Sequence, residues 1–487
     1  MTTIVYGGSL AALVACDQLT GAGHPVTLVT PTSRLGGHFA GERLGDARFD
    51  RGLVVFDFGE PNATGFPDPV TYDPDARNDG GRFGNLLASY TVSLGISIGR
   101  APGFVMWSDG RLIPDFVCDA RLEGVRALPS WLRAHARAEL EAMLATDQHA
   151  QHVQRQHLAP RDDSASYEVA SIANHGAVLH HSCFEPFARK VTGSPSSELL
   201  ARHARSAWLP LFGTETLAAA FAGGDELLPE IPFHVVRGGA VADLVPAIVR
   251  RLEGSPLLTH IVRRACGVHA DSAGIRVELD DGAVRGTRLI WGHDLEDLAT
   301  ITGNAPVAPV VRTPVVIVLA LVSRAEMAAP DVGTVIVPDD QAMPFRITNQ
   351  SANAGVPDEA LVRLSVEWGG ADAPADDDAL LALTQAALAR VGITTGDAGF
   401  VAHRIIRIRR ALVLPSADNR DTIHDMRQRI DACGLPIVPV APAAGFGVAS
   451  LNDQIVQGMK AARLVFAATG RTVSQADGAD GAGAVAA

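Results

Sequence analysis

Glycine residues stand where two predicted strands near the start of the chain turn into the next segment. The first strand ends in Gly7, Gly8 and Ser9, and the second is followed by Gly36 and Gly37. A strand, a glycine turn and a helix in this order bring backbone N–H groups and the positive end of the helix dipole to one point, where they can hold a pyrophosphate. The spacing therefore predicts a nucleotide-binding site.

The match to the dinucleotide fingerprint G-x-G-x-x-G is imperfect. Its glycine positions fall on Gly7, Ser9 and Ala12. Ser9 carries a Cβ where the backbone must approach phosphate, whereas Ala12 still permits close packing of helix on strand. Thr30 ends the second strand, where a carboxylate usually binds the ribose hydroxyls, and a threonine bonds a hydroxyl more weakly. The alternative interpretation is an ordinary βαβ turn that binds nothing.

Composition and charge exclude several classes of protein. The chain has 487 residues, 47% of them hydrophobic, and a formal net charge of −13. The negative charge and the lack of a basic stripe argue against nucleic acid and anionic membranes as partners. The apolar run 313–322 is too short for a membrane span and predicts a buried strand, so no integral membrane segment is expected.

The cysteines and histidines give no sign of disulfides or metal. The five cysteines are scattered and form no C-x-x-C pair, which indicates reduced thiols. No targeting peptide precedes the first strand, so we expect a cytoplasmic protein, and the many Ala, Gly, Asp and Arg residues suggest a bacterial one. No acidic or cysteine partner completes a metal site at the clustered histidines His149, His152, His157, His180 and His181.

Hydrophobic periodicity gives a coarse arrangement of helices and strands. Residues 130–230 are predicted to be mainly helical, and residues 310–368 to hold strands. The alternating run 258–291 is interrupted by Asp280-Asp281-Gly282, which predicts a β-hairpin. Helices are predicted over residues 376–392 and 450–468. The Pro-, Asp- and Gly-rich stretch 60–83 predicts a long loop near the nucleotide site, and the Ala-Gly tail predicts disorder.

Several short blocks occur in an order that is known from one group of enzymes. The chain resembles the FAD-dependent flavoprotein superfamily of protoporphyrinogen oxidases, amine oxidases, desaturase-like enzymes and UDP-galactopyranose mutases. The resemblance spans most of the chain. The blocks that carry it are the first glycine turn and residues 34–38, 49–52, 184–193, 237–239, 344–349 and 445–455.

The resemblance implies an α/β fold with a discontinuous Rossmann-like FAD-binding domain, an inserted helical region and an antiparallel-sheet substrate domain. The FAD-binding domain would comprise residues 1–85, 232–305 and 400–470. The mainly helical region would be 86–231, the antiparallel-sheet substrate region 306–399, and the disordered tail 471–487.

The resemblance also implies which residues contact FAD. Val262 would pair its backbone with adenine, and the N-terminus of the last helix would face the isoalloxazine. Residues 440–445 lack the Arg or Asp that the family usually places there, so either the contacts to FAD are altered or the chain has lost flavin use. The full set of predicted cofactor-binding residues is Gly7, Gly8, Ser9, Ala12, Thr30, Arg34, Gly36, Gly37, Val262, Gly447, Leu451 and Asn452.

Three residues are candidates for binding the substrate. Arg346 lies in an apolar context, where an unpaired guanidinium is costly, and its alternative role is an ion pair with Glu367. Lys190 matches a family lysine and is expected on a strand or loop, with a surface ion pair as its alternative role. His38 follows the second glycine doublet, where a flavin edge would pass. No catalytic residue can be named.

Four further polar residues have structural interpretations. Asn452 and Asp453 can cap the last helix. Asp50 and Asp57 are predicted to anchor loops.

The predicted function is that of an FAD-dependent oxidoreductase, which moves hydride from a small-molecule substrate to flavin N5. A mutase-like isomerase acting on a sugar nucleotide without net redox change is the alternative. A cluster of arginines on a substrate diphosphate would favour it, and Arg346, Arg404, Arg407, Arg409 and Arg410 leave it open. A non-catalytic protein that retains the fold is the second alternative. A homodimer is possible.

Overall fold

The computed structural model describes residues 2–59, 65–73, 79–145, 165–202, 204, 208–224, 232–272, 274–306, 308–339, 342–356, 359–446 and 450–468. Its α-helices span Leu10–Gly21, Gly84–Ser93, Ser130–Leu144, Tyr167–Leu179, Glu185–Thr192, Thr214–Ala222, Leu244–Glu253, Leu295–Ile301, Gln350–Asn353, Asp377–Arg390, Ala417–Ala432 and Leu451–Ala468.

The strands in chain order are β1 Thr3–Tyr6, β2 Val26–Thr30, β3 Glu42–Leu44, β4 Ala47–Phe49, β5 Phe56–Asp57, β6 Ile98–Arg100, β7 Val105–Ser108, β8 Arg111–Pro114, β9 Phe233–Val236, β10 Leu258–Val262, β11 Ala265–Asp271, β12 Gly274–Leu279, β13 Gly282–Gly286, β14 Arg288–Trp291, β15 Arg312–Ser323, β16 Thr334–Ile336, β17 Arg346–Asn349, β18 Leu361–Gly369, β19 Phe400–Val413 and β20 Ile437–Pro439. The predicted mixture of helices and sheets is confirmed.

A parallel sheet gathers strands from distant parts of the chain in the order β10-β2-β1-β14-β20. Ile4 and Val5 of β1 are fully buried, as are Leu289 and Ile290 of β14, which is typical of parallel strands covered on both faces. Tyr6 lies in register with both Val29 and Trp291. The carboxyl ends of these strands consequently meet at one edge, where the first glycine turn lies.

The first helix, Leu10–Gly21, and the last helix, Leu451–Ala468, cross at a glycine. A Cβ built on Gly458 would lie 2.5 Å from the carbonyl oxygen of Ala11 and 2.7 Å from Cβ of Val14. The two backbones can therefore approach this closely only because residue 458 has no side chain.

A seven-stranded sheet forms a second layer, in the order β19-β15-β18-β17-β16-β7-β8. All its pairs are antiparallel except β16 with β7. The predicted buried strand at 313–322 is confirmed as β15, which pairs along its length with β18 and β19. No helix in the part of the chain that the structure describes is long and apolar enough to cross a membrane.

Two parts of this sheet come from stretches that the sequence analysis placed in other predicted domains. Residues 400–413 were expected in the cofactor domain and form β19, because the buried β15 needs hydrogen-bond partners on both sides. Residues 105–114 were expected in the helical region and form the hairpin β7–β8. The domain bounds as a whole stay a prediction.

The remaining predicted elements are found close to their expected places. Helices Ser130–Leu144, Tyr167–Leu179, Glu185–Thr192 and Thr214–Ala222 occupy the stretch predicted as helical. The Asp280 hairpin joins β12 to β13. The helix predicted over 376–392 spans Asp377–Arg390, with Asp376 as its N-cap. Residues 60–64 and 74–78 of the predicted loop 60–83 lie outside the described residues, as do His149, His152, His157 and the tail from 471.

We expect Gly458→Ala to lower the free energy of unfolding by about 1–3 kcal/mol, because the new methyl group has a backbone carbonyl in its way. Gly21→Ala is the matched control, since a Cβ there meets nothing within 4 Å. The control should leave stability unchanged or raise it by up to about 1 kcal/mol through helix propensity. Urea unfolding of both variants checks this, and equal stabilities would contradict the close helix crossing.

Candidate functional site

The turn after β1 is held in place by close backbone packing. Gly7 has φ of 105°, and a Cβ on it would lie 2.4 Å from the carbonyl oxygen of Gly292, just after β14. Ser9 is the N-cap of the first helix, and its Oγ accepts a hydrogen bond of 3.3 Å from the N–H of Ala12. The side chain that departs from the fingerprint therefore caps the helix. The N–H groups of the first turn are those that a helix leaves without an intrahelical acceptor.

The second glycine turn lies against the first. The N–H of Gly36 donates to the carbonyl oxygen of Gly8 at 2.6 Å. A Cβ on Gly36 would lie 2.5 Å from Cγ2 of Val245, so this position is filled by protein. At Gly37 the nearest atom to such a Cβ is Cα of Ser9, 3.9 Å away. The Cβ position of Gly37, close to the N-terminus of the first helix, is thus not filled by protein.

Thr30 and Val262 already have protein partners. The Thr30 hydroxyl lies 2.9 Å from Nε2 of His260, and Thr30 is fully buried. Val262 pairs with Thr30 across β10 and β2, and its carbonyl oxygen accepts a bond of 2.8 Å from Arg263. Their predicted contacts with ribose and adenine stay predictions, and any ligand would share these groups with the protein.

The start of the last helix is fixed by a reciprocal cap. Ser450 Oγ accepts from the N–H of Asp453 at 3.1 Å, and Oδ2 of Asp453 accepts from Ser450 Oγ at 2.6 Å. The side chain of Asn452 bonds both the N–H and the carbonyl oxygen of Asp57 in β5. Asp453 thus caps the helix as predicted, while Asn452 joins it to a strand. Leu451 is buried, and Gly447 lies outside the described residues.

Two glutamines on the buried face of the last helix were missed by the sequence analysis. Gln457 Oε1 accepts from the N–H of Ala441 at 2.6 Å, and Ala441 itself has φ of 57°. Among the described atoms, Gln454 Oε1 and Gln457 Nε2 are buried without a hydrogen-bond partner. A buried amide atom without a partner costs free energy, so it is a candidate for bonding to a ligand. The signal that the sequence offered was the position of these two glutamines, which lie at helical spacing within an otherwise apolar helix face.

The structure places Arg346 in the ion pair that was its alternative role. Its Nε and Nη2 atoms lie 2.6 and 2.7 Å from the two carboxylate oxygens of Glu367, and both residues are buried. Burial lowers the pKa of Arg346, but the Glu367 carboxylate more than offsets this, so the pKa stands above its ordinary value. Glu367 also accepts from the N–H of Leu53 at 3.0 Å.

Trp208 covers the same guanidinium and was also missed. The Arg346 guanidinium lies 4.9 Å from the centre of a Trp208 ring, and the φ of Trp208 is 64°. A bulky residue rarely adopts this left-handed conformation, which commonly marks a functional constraint. No sequence pattern distinguishes this tryptophan from the others.

His38 follows the second glycine doublet in the short 3-10 helix Gly37–Ala40 and is exposed to solvent. Its imidazole lies edge-on to the ring of Phe39, with 5.2 Å between the ring centres. Its predicted contact with a flavin or a substrate stays a prediction.

Lys190 was expected on a strand or loop, and this was wrong. It lies in the helix Glu185–Thr192, because Pro186 suits the first turn of a helix and Ala188, Arg189 and Lys190 are good helix formers. Its Nζ lies 3.2 Å from Oδ1 of Asp339 and 3.2 Å from the carbonyl oxygen of Val337, and the residue is buried. The pair is therefore an interior one, and a role in substrate binding stays a prediction.

Asp50, which was predicted to anchor a loop, and Arg34, which was predicted to contact FAD, both bond to protein groups. Asp50 accepts from the N–H groups of Val241 and Ala242 at 3.0 and 2.7 Å, and its pKa is raised to about 6, chiefly by burial. Arg34 donates to Glu42 and to the carbonyl oxygen of Gly41, both at 2.8 Å.

The structure contains a group of potential metal-ligating side chains that the sequence analysis did not identify. In the described part of the chain, His293, Asp294 and Asp297 bring one ligand-type atom each within 4.8 Å of the others. His293 Nδ1 lies 3.0 Å from Oδ2 of Asp297.

No protein-family profile and no curated protein sequence matches the chain. Solved structures do match along nearly its whole length. A reduced UDP-galactopyranose mutase has a TM-score of 0.70 at 15% identity, covering 96% of both chains. A putative protoporphyrinogen oxidase from Exiguobacterium sp. 255-15 has a TM-score of 0.61 at 14% identity, covering 95% of this chain and 98% of that one. A putrescine oxidase bound to putrescine has a TM-score of 0.59 at 15% identity, covering 96% and 99%.

These similarities confirm the resemblance to the flavoprotein superfamily at the level of the fold. At such low identity, a fold carries many different activities. What the chain binds must therefore be argued from its own residues.

Proposed function

We propose that the chain binds FAD non-covalently and acts as an oxidoreductase on a small-molecule substrate. The observation that carries the proposal is the open space beside Gly37, which lies against Ser9 and the N-terminus of the first helix. A fold shared with several flavin-dependent oxidases supports it. When bound, the flavin would supply a hydride acceptor at N5.

The residues around this space fit a pyrophosphate on chemical grounds. Gly7 and Gly36 allow the two turns to pack closely against the protein, because a Cβ on either residue would collide with neighbouring protein atoms. The N–H groups and dipole of the first helix favour an anion. The missing carboxylate at Thr30 removes one expected ribose contact, and the Thr30 hydroxyl is already bonded to His260.

Other residues would position the reacting groups. The capped N-terminus of the last helix presents a positive dipole, which stabilises negative charge on a reduced flavin ring. The unpaired amide atoms of Gln454 and Gln457 lie within the same helix and would bond polar ligand atoms.

A mutase-like isomerase is the second candidate. The mutase structure has the higher TM-score, 0.70 against 0.61 for the protoporphyrinogen oxidase and 0.59 for the putrescine oxidase. Anaerobic mixing with candidate substrates separates the two activities. An oxidoreductase substrate bleaches the oxidised flavin, whereas isomerisation requires flavin that is reduced beforehand and leaves it reduced.

We expect the purified protein to show visible flavin absorption, and heat or acid to release intact FAD. The motivation is the cradle at Gly37 together with the absence of a covalent-link motif in the sequence. Mass analysis of the released cofactor checks its identity. A protein that stays colourless after incubation with excess FAD would contradict the proposal and favour a non-catalytic role.

Gly37→Ala should weaken FAD binding about tenfold, because its methyl group enters the cradle. Gly45→Ala is the matched control, since Gly45 has φ of 60° against 56° for Gly37 and open space around its Cβ position. Both variants should lose about 1 kcal/mol of unfolding free energy from the left-handed backbone. Equal FAD affinities, measured by fluorescence titration, would show that the cradle is misplaced.

Arg346→Ala should lower the free energy of unfolding by about 3–5 kcal/mol, because it leaves the Glu367 carboxylate buried without its partner. The double variant Arg346→Met with Glu367→Leu removes both charges and should recover most of this loss. Urea unfolding measures both variants. A single variant as stable as the wild type would contradict the buried pair.

The same double variant tests the proposed substrate role of Arg346. If the guanidinium also binds substrate, flavin reduction per folded molecule should slow even though the fold is retained. An unchanged rate would leave Arg346 with a structural role alone.

A further inference from the structure

A small polar cavity lies where three distant segments of the chain meet. Its walls come from residues 50–54, 235–241 and 348–354, and its volume is about 20 Å³. We call it the Thr348 cavity. Every residue that lines it is buried except Gly239, which is half-buried. A cavity of about 10–15 Å³ or more can hold one water molecule, so this one has room for a single water or a monatomic ion.

Two polar atoms of the lining residues have no hydrogen-bond partner among the residues that the structure describes. They are Oγ1 of Thr348 and Oδ1 of Asn353. Thr348 is 1% exposed and Asn353 5% exposed, so bulk water does not reach either side chain freely. A buried polar atom that bonds to nothing costs free energy, and proteins commonly satisfy such atoms with an ordered water. Both atoms are therefore available to a ligand in the cavity.

The pleat of the second sheet sets the direction of the Thr348 side chain. Thr348 lies in register with Ser365 across β17 and β18, and two residues further along the same pair of strands Arg346 lies in register with Glu367. Alternate residues of a strand share a face, so these four side chains lie on one face of the sheet. Glu367 accepts from the N–H of Leu53, which belongs to the first wall segment, at 3.0 Å. The Thr348 hydroxyl is thus on the face that this wall segment covers.

Asp50 adds a third polar group to the wall. Its carboxylate oxygens accept from the N–H groups of Val241 and Ala242 at 3.0 and 2.7 Å. An ionised carboxylate has about four acceptor positions, so two of these are left. The side chain of Gln350 bonds both the N–H and the carbonyl oxygen of Asp50, each at 3.0 Å. The acceptor is therefore held in place by the other two wall segments.

We infer that the Thr348 cavity binds one ordered water molecule, which joins the Asp50 segment to the second sheet. The water accepts a hydrogen bond from the Thr348 hydroxyl and donates to Oδ1 of Asn353 and to the Asp50 carboxylate. About three hydrogen bonds are typical of a buried water. Divalent cations prefer about six or more oxygen ligands, whereas much of this wall is aliphatic, with Leu53 and Val235 among its members. The inference does not depend on whether the chain binds FAD.

The test compares two variants of the full chain by urea unfolding. Thr348→Val keeps the shape of the side chain and removes the hydroxyl, so it should lower the urea midpoint by about 0.3 M, the effect of losing one hydrogen bond. Ser365→Ala is the matched control, because Ser365 Oγ is also buried without a described partner but Ser365 does not line the cavity. The control should leave the midpoint unchanged or raise it, since it removes an unpartnered hydroxyl.

A high-resolution crystal structure of the wild type is the second measurement, and it should show one water within hydrogen-bonding distance of Thr348, Asn353 and Asp50. A cavity without density there would overturn the inference. So would a Thr348→Val protein at least as stable as the wild type, since the hydroxyl would then bond to nothing. A wild-type midpoint that is higher in sodium or calcium chloride than in choline chloride, with the difference abolished by Thr348→Val, would show a cation site instead and would also overturn it.

Discussion

Parallel pairing of β1 with β2 and β14 is the constraint on which the rest of the structure depends. Parallel neighbours cannot be joined by a tight turn, so the chain must leave the sheet after each strand and return to the same end. Between β2 at residue 30 and β14 at residue 288 it builds the helical region and the β7–β8 hairpin, and strands β15–β19 of the second sheet follow between β14 and β20. The same geometry brings the carboxyl ends of the strands together, and the glycine turns lie there. The layout of the whole molecule and the position of the cradle thus follow from one pairing.

Charge is distributed very differently around two groups of arginines. The buried pair Arg346–Glu367 is balanced, and its strength depends on low polarity around it. Around Glu42, the guanidinium groups of Arg34, Arg51 and Arg404 outnumber a single carboxylate, and those of Arg34 and Arg404 are partly open to water, where salt screens them. The buried pair contributes to holding strands β17 and β18 in register. Burial therefore distinguishes an arginine that serves the fold from one that stays accessible to solvent.

The features that could be predicted from sequence were those encoded by neighbours along the chain. The glycine turns, the Asp280 hairpin and the Asp376-capped helix each depend on residues a few positions apart. The contacts that were missed join distant segments. Arg404 lies 362 residues from Glu42, and His260 lies 230 residues from Thr30. The hydrogen-bonding capacity of Thr30 was visible in the sequence, but nothing there showed that a histidine already uses it.

The capping role of Ser9 bears on how this nucleotide turn can change over evolutionary time. A serine at the N-cap compensates locally for the glycine it replaces, because its hydroxyl satisfies an N–H that would otherwise lack an acceptor. Exchange between serine and glycine at an N-cap changes stability by only about a few tenths of a kcal/mol. The two residues are therefore nearly interchangeable under selection for folding. A lineage can drift away from the dinucleotide fingerprint and back again, so the degree of match at this position records little about ancestry or about whether a cofactor is still bound.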